Sequence, residues 1–278
     1  MLSKDELVQA VGDIPPLSSS IVSIMNMLNS GIEIDFLDLE NKIIQEPGLT
    51  GRVLKLANSP FYGMTGEINS IKEACLLLGL NSIRNLVISS AIIERFPIDT
   101  KTNLDFNKLW HHSVATAASA KVLSRYCNIN PEQSFTAGLL HDIGKMIFEV
   151  YFTDQYKKAL QYQNENDCLL FEAERKILGT DHSELGALTA EQWRLPENII
   201  HTIRYHHDPR KTDIPGVEHI VYVSNIVARG LGIGFSGDNL IPALDPIVME
   251  TMQLNIDNIK ESLGEIEALT DGFMTLIS

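Results

Sequence analysis

A histidine and an aspartate stand side by side at His141 and Asp142, within the largely apolar stretch of residues 138–145. We predict that this stretch is helical and buried, and burying an imidazole beside a carboxylate costs free energy unless a partner compensates both groups. A divalent metal ion would compensate them, because a carboxylate can bridge two cations while an imidazole nitrogen binds one of them. The remaining ligands would then come from elsewhere in the chain.

The other histidines supply candidate ligands. Seven of the eight fall between residues 111 and 207, in or at the ends of predicted helices. A single imidazole on a helix is more often a hydrogen-bonded core or surface residue than a ligand. As a set, however, His112, His182 and the adjacent His206 and His207 can converge on one carboxylate in the core of a helical bundle. His111 competes with His112, since helical phase alone does not separate them.

Hydrophobic periodicity predicts an all-α protein with two helical lobes. Apolar residues recur at a spacing of three to four, and no sustained alternating run is flanked by hairpin turns. The first 103 residues are predicted to form a lobe of five short helices, with Pro47, Gly79 and Pro97 among the residues that end them. These helices are predicted at residues 18–28, 36–45, 49–57, 71–78 and 82–94.

The polar segment of residues 97–103 lacks periodicity and is the predicted junction to a second helical lobe at residues 104–231. Asp181 is the predicted N-cap of one helix in this lobe, with Glu184 at the capping-box position. Residues 232–278 are predicted to form a C-terminal helical extension. The helices after the junction are predicted at residues 104–126, 131–151, 181–195, 196–207, 217–231 and 248–268.

The composition restricts the classes of partner. Acidic side chains outnumber basic ones by 36 to 22, and the formal charge of −14 repels phosphate backbones. The N-terminal lobe also lacks a basic recognition helix, so nucleic acid is not expected as a partner. No apolar run approaches the roughly 20 residues that span a bilayer, and the first residues lack a signal-peptide pattern. We therefore expect a cytoplasmic protein without a membrane partner.

Several dense stretches of sequence carry a family resemblance. They are QEPGLTGRVLKLANSPFYG at residues 45–63, residues 74–80, LWHHS at residues 109–113, AGLLHDIGK at residues 137–145, residues 181–186 and residues 193–207. Through them, residues 14 to about 230 resemble the HDOD domain. This domain is the regulatory branch of the HD superfamily of metal-dependent phosphohydrolases, which is named for its His-Asp pair. The resemblance implies a compact, all-helical bacterial signalling module that serves as an output or interaction domain.

The resemblance also implies a metal site. The catalytic HD-GYP branch, which hydrolyses cyclic dinucleotides at two metal ions, uses a His, the His-Asp pair, a further His, a His-His pair and a late Asp as ligands. The family's Trp-x-His-Ser pattern selects His112 over His111 as the first ligand. An imidazole-rich set suits iron, zinc, nickel or manganese rather than magnesium, as one or two divalent ions. Matched in this way, the implied ligands are His112, His141, Asp142, His182, His206, His207 and Asn225.

Two positions depart from the catalytic pattern. Asn225 stands where the late Asp would be, and its amide oxygen brings no negative charge, so the metal shared by His112 and the His-Asp pair should be held more weakly. Asn225 could equally satisfy backbone groups in the core, and the sequence does not separate these two roles. Residues 208–213 replace the Gly-Tyr-Pro segment that helps to form the nucleotide pocket, which argues against cyclic dinucleotide hydrolysis.

Two functions from different classes remain. In the first, a regulatory protein binds a metal at this site and acts mainly through an unidentified signalling protein. In the second, a metal-dependent phosphohydrolase cleaves a phosphoester or nucleotide, with Asp142 holding the metals and Lys145 contacting a phosphate oxygen. Lys145 lies one helical turn beyond His141 on the predicted helix, although a solvated lysine near a helix end would fit the same pattern. Metal binding without turnover is the prediction that we favour.

Overall fold

The computed structural model describes residues 4–29, 36–59, 62–63, 66–96, 102–212 and 214–277. Within these ranges the chain forms fifteen α-helices, two short 3-10 helices and no strand. The prediction of an all-α protein is therefore confirmed.

The chain clusters into two compact units. One contains Met1–Pro15 and Ile98–Thr270, and we call it the site unit because it carries all the predicted ligands. The other contains Pro16–Pro97 and Asp271–Ser278, and we call it the inserted unit. The first fifteen residues thus group with the later part of the chain and not with the helices that follow them directly.

The first helix, α1, spans Lys4–Asp13 and was not predicted from the sequence. The residues that follow it are bonded to the end of a helix far along the chain. Gln192 Nε2 donates to the carbonyl of Ile14 and Trp193 Nε1 donates to the carbonyl of Pro15, each at 3.2 Å. These two bonds hold residues 14 and 15 within the site unit.

The described part of the inserted unit consists mainly of four helices. They are α2 at Ser19–Asn29, α3 at Phe36–Ile44, α4 at Pro47–Ala57 and α5 at Ile71–Arg95. Pro47 lies in the first turn of α4, where its missing N–H group leaves no intrahelical bond unmade. The hydroxyl of Ser70 caps α5 by accepting from the Glu73 N–H at 3.0 Å. The sequence of residues 61–66, FYGMTG, predicts a loop, and residues 61, 64 and 65 of this segment lie outside the described residues.

The long helix α5 joins two predicted helices into one span. Gly79 has φ 79° and ψ 161°, outside the helical region and accessible to glycine at little cost, so the boundary predicted there is present as a break. By length and composition α5 could cross a membrane, a feature that the sequence analysis overlooked because it treated the two halves separately. This is weak evidence for a span, since 56% of its most apolar 18-residue window is buried inside the protein.

Except for the last residues of the final helix, from Asp271 on, which belong to the inserted unit, the site unit holds the remaining helices. They are α6 at Phe106–Ser124, α7 at Pro131–Leu140, α8 at Ile143–Tyr151, α9 at Thr153–Asn166, α10 at Leu170–Leu178, α11 at His182–Gln192, α12 at Glu197–Tyr205, α13 at Val217–Gly230, α14 at Pro246–Thr251 and α15 at Ile256–Ile277. Helices α6, α7 and α13 pack on one another, and α11 packs on α8 and α12. Buried alanine and valine side chains such as Ala118, Ala137 and Val223 fill the space between the first three, which permits the close approach of their backbones.

Helices α9 and α10 were not predicted. α9 buries only Tyr156, Ala159 and Gln163, so its apolar side chains form too narrow a stripe to give a clear helical period. α10 carries four charged residues among its nine, LFEAERKIL, and resembles a solvated segment. The omission matters because α10 contributes a buried carboxylate to the site described below.

The single helix predicted at residues 131–151 is wrong, because the structure divides it at the His-Asp pair. Helix α7 ends at Leu140 and α8 begins at Ile143, with Asp142 at φ −100° and ψ 12°. The end of a helix leaves its last carbonyl groups without intrahelical partners. One of these, the carbonyl of Gly138, bonds to His141 Nδ1 at 2.7 Å. The break therefore provides an acceptor that fixes the imidazole.

Candidate metal centre

Six of the predicted ligands converge inside the site unit. His112 lies in the second turn of α6, and His141 and Asp142 occupy the junction between α7 and α8. His182 is the first residue of α11, where the Asp181 carboxylate caps the helix as predicted by accepting from Glu184 N–H at 3.0 Å. His206 and His207 directly follow α12. All of the six are buried except His207, which is half-buried.

One carboxylate oxygen, Asp142 Oδ2, faces the first set of ligand atoms. His141 Nε2 lies 3.3 Å from it and His112 Nε2 lies 3.8 Å from it. One ligand atom from each of these three residues lies within 4.8 Å of the others. We call His112, His141 and Asp142 the His112 group.

The other carboxylate oxygen, Asp142 Oδ1, faces a second set. His182 Nε2 lies 3.2 Å from it and His206 Nε2 lies 3.6 Å from it. His207 completes the set, with its Nε2 at 2.8 Å from His182 Nε2. Ligand atoms of the three histidines also lie within 4.8 Å of one another. We call His182, His206 and His207 the His206 group.

These distances suit metal binding. In a tetrahedral site with metal–nitrogen bonds of 2.0–2.1 Å, neighbouring ligand atoms are about 3.4 Å apart. Four buried atoms at the centre also have no hydrogen-bond partner among the described residues: His112 Nε2, His141 Nε2, His206 Nε2 and Asp142 Oδ1. Leaving four buried polar atoms without partners is costly. A cation bound between the two groups would satisfy all four, so the residues fit the metal that the resemblance implied.

Hydrogen bonds behind the imidazoles fix which nitrogen faces the centre. His206 Nδ1 bonds to the carbonyl of Ile203 at 2.8 Å, in the same arrangement that joins His141 to the end of α7. His182 Nδ1 bonds to Glu174 Oε2 at 2.6 Å. Each of these partners is an acceptor, so the Nδ1 atom carries the proton and the Nε2 lone pair points inward. This is the protonation form that a metal ligand requires.

Glu174 is a functional residue that the sequence analysis missed. It lies on α10, is fully buried, and accepts three bonds: from His182 Nδ1, from the His182 backbone N–H at 2.8 Å and from the Tyr156 hydroxyl at 3.0 Å. The Glu174 carboxylate therefore holds both the ring and the backbone of His182. Its surroundings in the sequence, Glu172, Ala173 and Arg175, gave no signal that separates it from a solvated glutamate.

Lys145 lies at the centre itself. The sequence analysis placed it on the same face as His141, and in the structure its Nζ lies 2.5 Å from Asp142 Oδ2 with the side chain fully buried. Burial alone would raise the pKa of Asp142, but the charges of His141 and Lys145 outweigh it and hold that pKa well below its usual value. Asp142 is therefore ionised and available to a cation at neutral pH.

The imidazoles respond to burial in different ways. Burial lowers the pKa of His112 and of His207 well below the usual value, and lowers that of His206 to about 4. For His182, burial acts in the same direction, but the charge of Glu174 together with the hydrogen bonds to Asp142 and Glu174 outweighs it, and the pKa is raised. Three of the four are thus neutral at physiological pH without any metal.

The predicted ligand Asn225 has a partner of its own. It is buried on α13, and its Oδ1 accepts from Arg229 Nε at 3.3 Å. Arg229 is in turn paired with Asp238 at 2.7 Å and donates to the carbonyl of Leu240 at 2.7 Å. The amide oxygen thus differs from the four atoms at the centre, which have no such partner. Its contribution to metal binding stays a prediction.

The three remaining histidines of the predicted helices lie outside both groups in the described part of the chain. His219 Nδ1 lies 3.2 Å from the Glu218 carboxylate, and His201 is about half exposed. His111 is half-buried on α6, one residue before the side chain that does face the centre. The structure thus separates His112 from His111, which helical phase alone could not do.

Gly144 controls how closely the helices of the site approach. A Cβ atom at this position would lie 1.9 Å from the carbonyl oxygen of His182 and 3.0 Å from the backbone nitrogen of Gly186. Only a residue without a side chain lets α8 and α11 pack at this distance. The close packing places Asp142, at the start of α8, beside His182, at the start of α11.

Comparisons with known proteins are consistent with this geometry. An HDOD domain protein of unknown function from Geobacter sulfurreducens has a crystal structure similar to this chain, with 25% identity, a TM-score of 0.76 and coverage of 97% of this chain and 98% of that one. A protein provisionally named a phosphohydrolase, from Shewanella amazonensis SB2B, shares the fold with 22% identity, a TM-score of 0.78 and 98% coverage of both chains.

One protein that is related in sequence is longer than this chain. An uncharacterized protein of Treponema pallidum (strain Nichols) is 28% identical over 204 residues, which are 73% of this chain and 39% of that protein. The matched part of the chain therefore spans well under half the length of this relative. The HDOD domain family matches residues 14–209, which include all six residues of the two ligand groups. On this evidence the chain belongs to the HDOD family.

Proposed function

We propose that this chain is a regulatory HDOD protein that binds one or two divalent transition-metal ions at Asp142 and acts mainly by contacting a signalling partner. The observation that carries the proposal is the set of four buried, unpartnered atoms that face one another across Asp142. Hydrogen bonds from behind hold the inward-facing imidazoles, so the site is organised for a cation before one binds.

The ligand set favours particular metals. Five imidazoles and one carboxylate suit iron, zinc, nickel or manganese better than magnesium, which prefers oxygen ligands. The ligands lie on α6 and α11 and at the ends of α7 and α12. A metal ion bound to them would therefore link these helices, and their relative positions would depend on the ion. Such dependence would let the metal site control a surface at some distance.

A protein partner in the cytoplasm is the interaction that we propose. The inserted unit exposes apolar side chains on α3 and α5, namely Leu37, Ile44, Leu76 and Leu77, and α3 packs on α5 within that unit. Exposed apolar groups that lie on adjoining helices support a contact with another protein. The net charge of −14 disfavours nucleic acid as the alternative partner.

Hydrolysis of a phosphoester or nucleotide is the second candidate function. A metal pair would supply Lewis acidity and an activated water, while Asp142 would hold the ions and Lys145 would contact a phosphoryl oxygen. The presence of two ligand groups around one carboxylate supports this candidate. Against it, Lys145 is engaged with Asp142 at 2.5 Å and Asn225 with Arg229, so neither is free for the role that catalysis would require.

Metal analysis of the purified protein tests the proposal. We expect the wild type to contain transition metal and the His141→Ala and Asp142→Ala variants to lose it. Glu218→Gln is the matched control, because Glu218 also pairs with a buried histidine, His219, away from the site. Wild-type protein that cannot be loaded with any of the four metals would disprove the metal site. Metal-dependent cleavage of a generic phosphodiester, lost in both variants, would favour the hydrolase instead.

A further inference from the structure

A surface cavity of about 280 Å³ borders the half-buried ligand His207. It lies within the site unit, and we call it the His207 cavity. Its walls come from the segment that follows His207, from α10 and from Tyr222 of α13. On α10, Phe171 stacks on the His207 ring with the ring centroids 4.3 Å apart. The cavity and the metal centre therefore share one side chain.

Three basic side chains line this cavity: Arg175, Arg210 and Lys211. Such a concentration is unusual in a chain whose acidic residues outnumber its basic ones by 36 to 22. The lining includes two carboxylates, Asp208 and Asp245, and a third, Asp181, lies behind the wall with its Oδ2 at 2.5 Å from Arg175 Nε, so that each basic group has a carboxylate partner. Arg175 also lies over the Phe171 ring at 4.8 Å, which holds its guanidinium at the cavity wall.

Arg210 and Lys211 are held by surface ion pairs, whereas Arg175 is bonded through its Nε to the buried Asp181 and keeps its other guanidinium nitrogens for the cavity. Arg210 Nε lies 3.3 Å from Asp245 and 3.8 Å from Asp208, and Lys211 Nζ lies 3.6 Å from Asp208. Exposed pairs of this kind contribute about 0–1 kcal/mol, so a ligand with a stronger negative charge can replace them. Arginine in particular offers a planar fork of donors that matches the oxygens of a phosphate.

We propose that the His207 cavity binds a small phosphate-bearing ligand. The phosphate would replace Asp208 and Asp245 as the partner of Arg210 and Lys211, with Arg175 completing the basic wall. The volume lies near the lower end of the roughly 300–1,000 Å³ typical of ligand pockets, so a small phosphorylated molecule fits and a peptide segment does not.

Binding at this cavity is coupled to the metal centre through His207. Its Nε2 lies 2.8 Å from His182 Nε2, while its ring forms part of the cavity wall. A ligand that fixes the His207 ring therefore changes the free energy of metal binding at the His206 group, and the metal changes the affinity for the ligand by the same factor. This coupling rests on the proposed metal site, whereas the anion site itself does not.

Calorimetric titration of the full chain with inorganic phosphate and with pyrophosphate, in chloride buffer, tests the site. We expect saturable binding to the wild type and a loss of at least about tenfold in affinity in the double variant Arg210→Gln/Lys211→Gln. Arg125→Gln/Lys260→Gln is the matched control, since Arg125 and Lys260 are exposed and paired with Glu265 and Asp257 outside the cavity. The control should keep wild-type affinity.

The result that overturns the inference is distinct from failure of the metal site. Absence of saturable binding to the wild type, or equal losses in the two double variants, would disprove the phosphate site. So would phosphate binding that vanishes on metal removal but survives in Arg210→Gln/Lys211→Gln, because the metal and not the basic wall would then hold the anion. Metal content measured on the same samples reports on the proposed function separately, since the cavity variants should retain metal.

Discussion

The two ligand groups around Asp142 are alike in composition and different in their surroundings. The His112 group faces Asp142 Oδ2, the oxygen that also accepts from the buried ammonium of Lys145 at 2.5 Å. The His206 group faces Oδ1, and behind His182 lies the buried carboxylate of Glu174 at 2.6 Å. Asp142 Oδ2 thus lies next to the buried Lys145, whereas the histidine that faces Oδ1 is bonded on its far side to the buried Glu174.

This difference teaches that the number of ligands does not set the strength of a site. Burial and the charge of Lys145 lower the pKa of both His112 and His182. At His112 the charge of Asp142 does not offset them and the pKa is lowered, whereas at His182 the charge of Glu174 and the hydrogen bonds to Asp142 and Glu174 do, and the pKa is raised. Charges that disfavour a proton also disfavour a metal cation at the same nitrogen. We therefore expect the His206 group to hold the tighter ion, in agreement with the weaker first site inferred from the sequence.

The largest effect is expected for Gly144→Ala, which should disable the His206 group. The new Cβ would meet the rigid backbone carbonyl of His182 and push α11 away from Asp142. We expect a loss of about 3 kcal/mol in the free energy of unfolding, measured with urea, and loss of the ion at the His206 group. Gly264→Ala on α15, where a Cβ meets nothing within 4 Å, should leave stability unchanged or increase it. Similar stability in the two variants would contradict this prediction.

Glu174→Gln should make the metal affinities of the two ligand groups more similar. The amide keeps the shape of the side chain but removes the negative charge behind His182, so affinity at the His206 group should fall by about 10–100-fold while the His112 group is little changed. Competition with a chelator of known affinity measures both. Glu149→Gln replaces another buried glutamate, bonded to Asn103 and not to the site, and serves as the control. A uniform loss at both groups would argue against a local role for Glu174.

Acidification should destabilise the metal-free protein because its buried imidazoles resist protonation. The folded-state pKa of His206 is lowered to about 4, and those of His112 and His207 are also lowered by burial, so the unfolded chain binds more protons between pH 6.5 and 5. Stability should therefore fall as the pH falls, by up to about 1.4 kcal/mol per pH unit for each imidazole. The folded-state pKa of His182 is raised, so this residue opposes the trend only at pH values above the ordinary histidine pKa.

Urea titrations in the presence of a chelator at pH 6.5 and 5 measure that slope. His206→Gln should reduce it by about one proton, since the variant lacks one of the three groups. A slope that is unaffected by the substitution would show that other groups carry the pH dependence.

The smallest effect is expected for Asn225→Asp, which adds the charge that the sequence pattern lacks. The new carboxylate would lie next to Arg229, whose Nε already donates to Asn225 at 3.3 Å, and would be largely neutralised by it. Affinity at the His112 group should rise by less than about tenfold. A rise of a hundredfold or more would mean that residue 225 faces the metal and not the guanidinium.

Some of this site could be predicted from the sequence and some could not. Histidines in a helical protein are visible as potential ligands, and the family pattern identified the five that converge on Asp142. The break between α7 and α8 was not visible, because Leu140, His141, Asp142 and Ile143 continue the helical period without a proline. The close approach of α8 to α11 at Gly144, directly after the break, is a tertiary contact that the local sequence does not reveal.

Glu174 and Arg229 show a second limit of sequence analysis. Glu174 belongs to a helix whose other charged residues are exposed, and Arg229 to a helix that also buries Glu218 away from the site. In neither helix does the spacing mark the charge that lies next to the site. Their roles depend on tertiary contacts, with His182 in one case and with Asn225 and Asp238 in the other. Ligands can be found from residue type, but the charges that tune them depend on packing between helices that are distant in the chain.

The hydrogen bonds that join Ile14 and Pro15 to Gln192 and Trp193 have a consequence for synthesis. Each closes a separation of 178 residues. At about 5–20 residues per second, a ribosome needs roughly 10–35 s to make the second partner after the first. During that interval residues 16–97 are already made and can begin to fold, whereas α1 waits for its partner helix, so these two contacts of the site unit form late in synthesis.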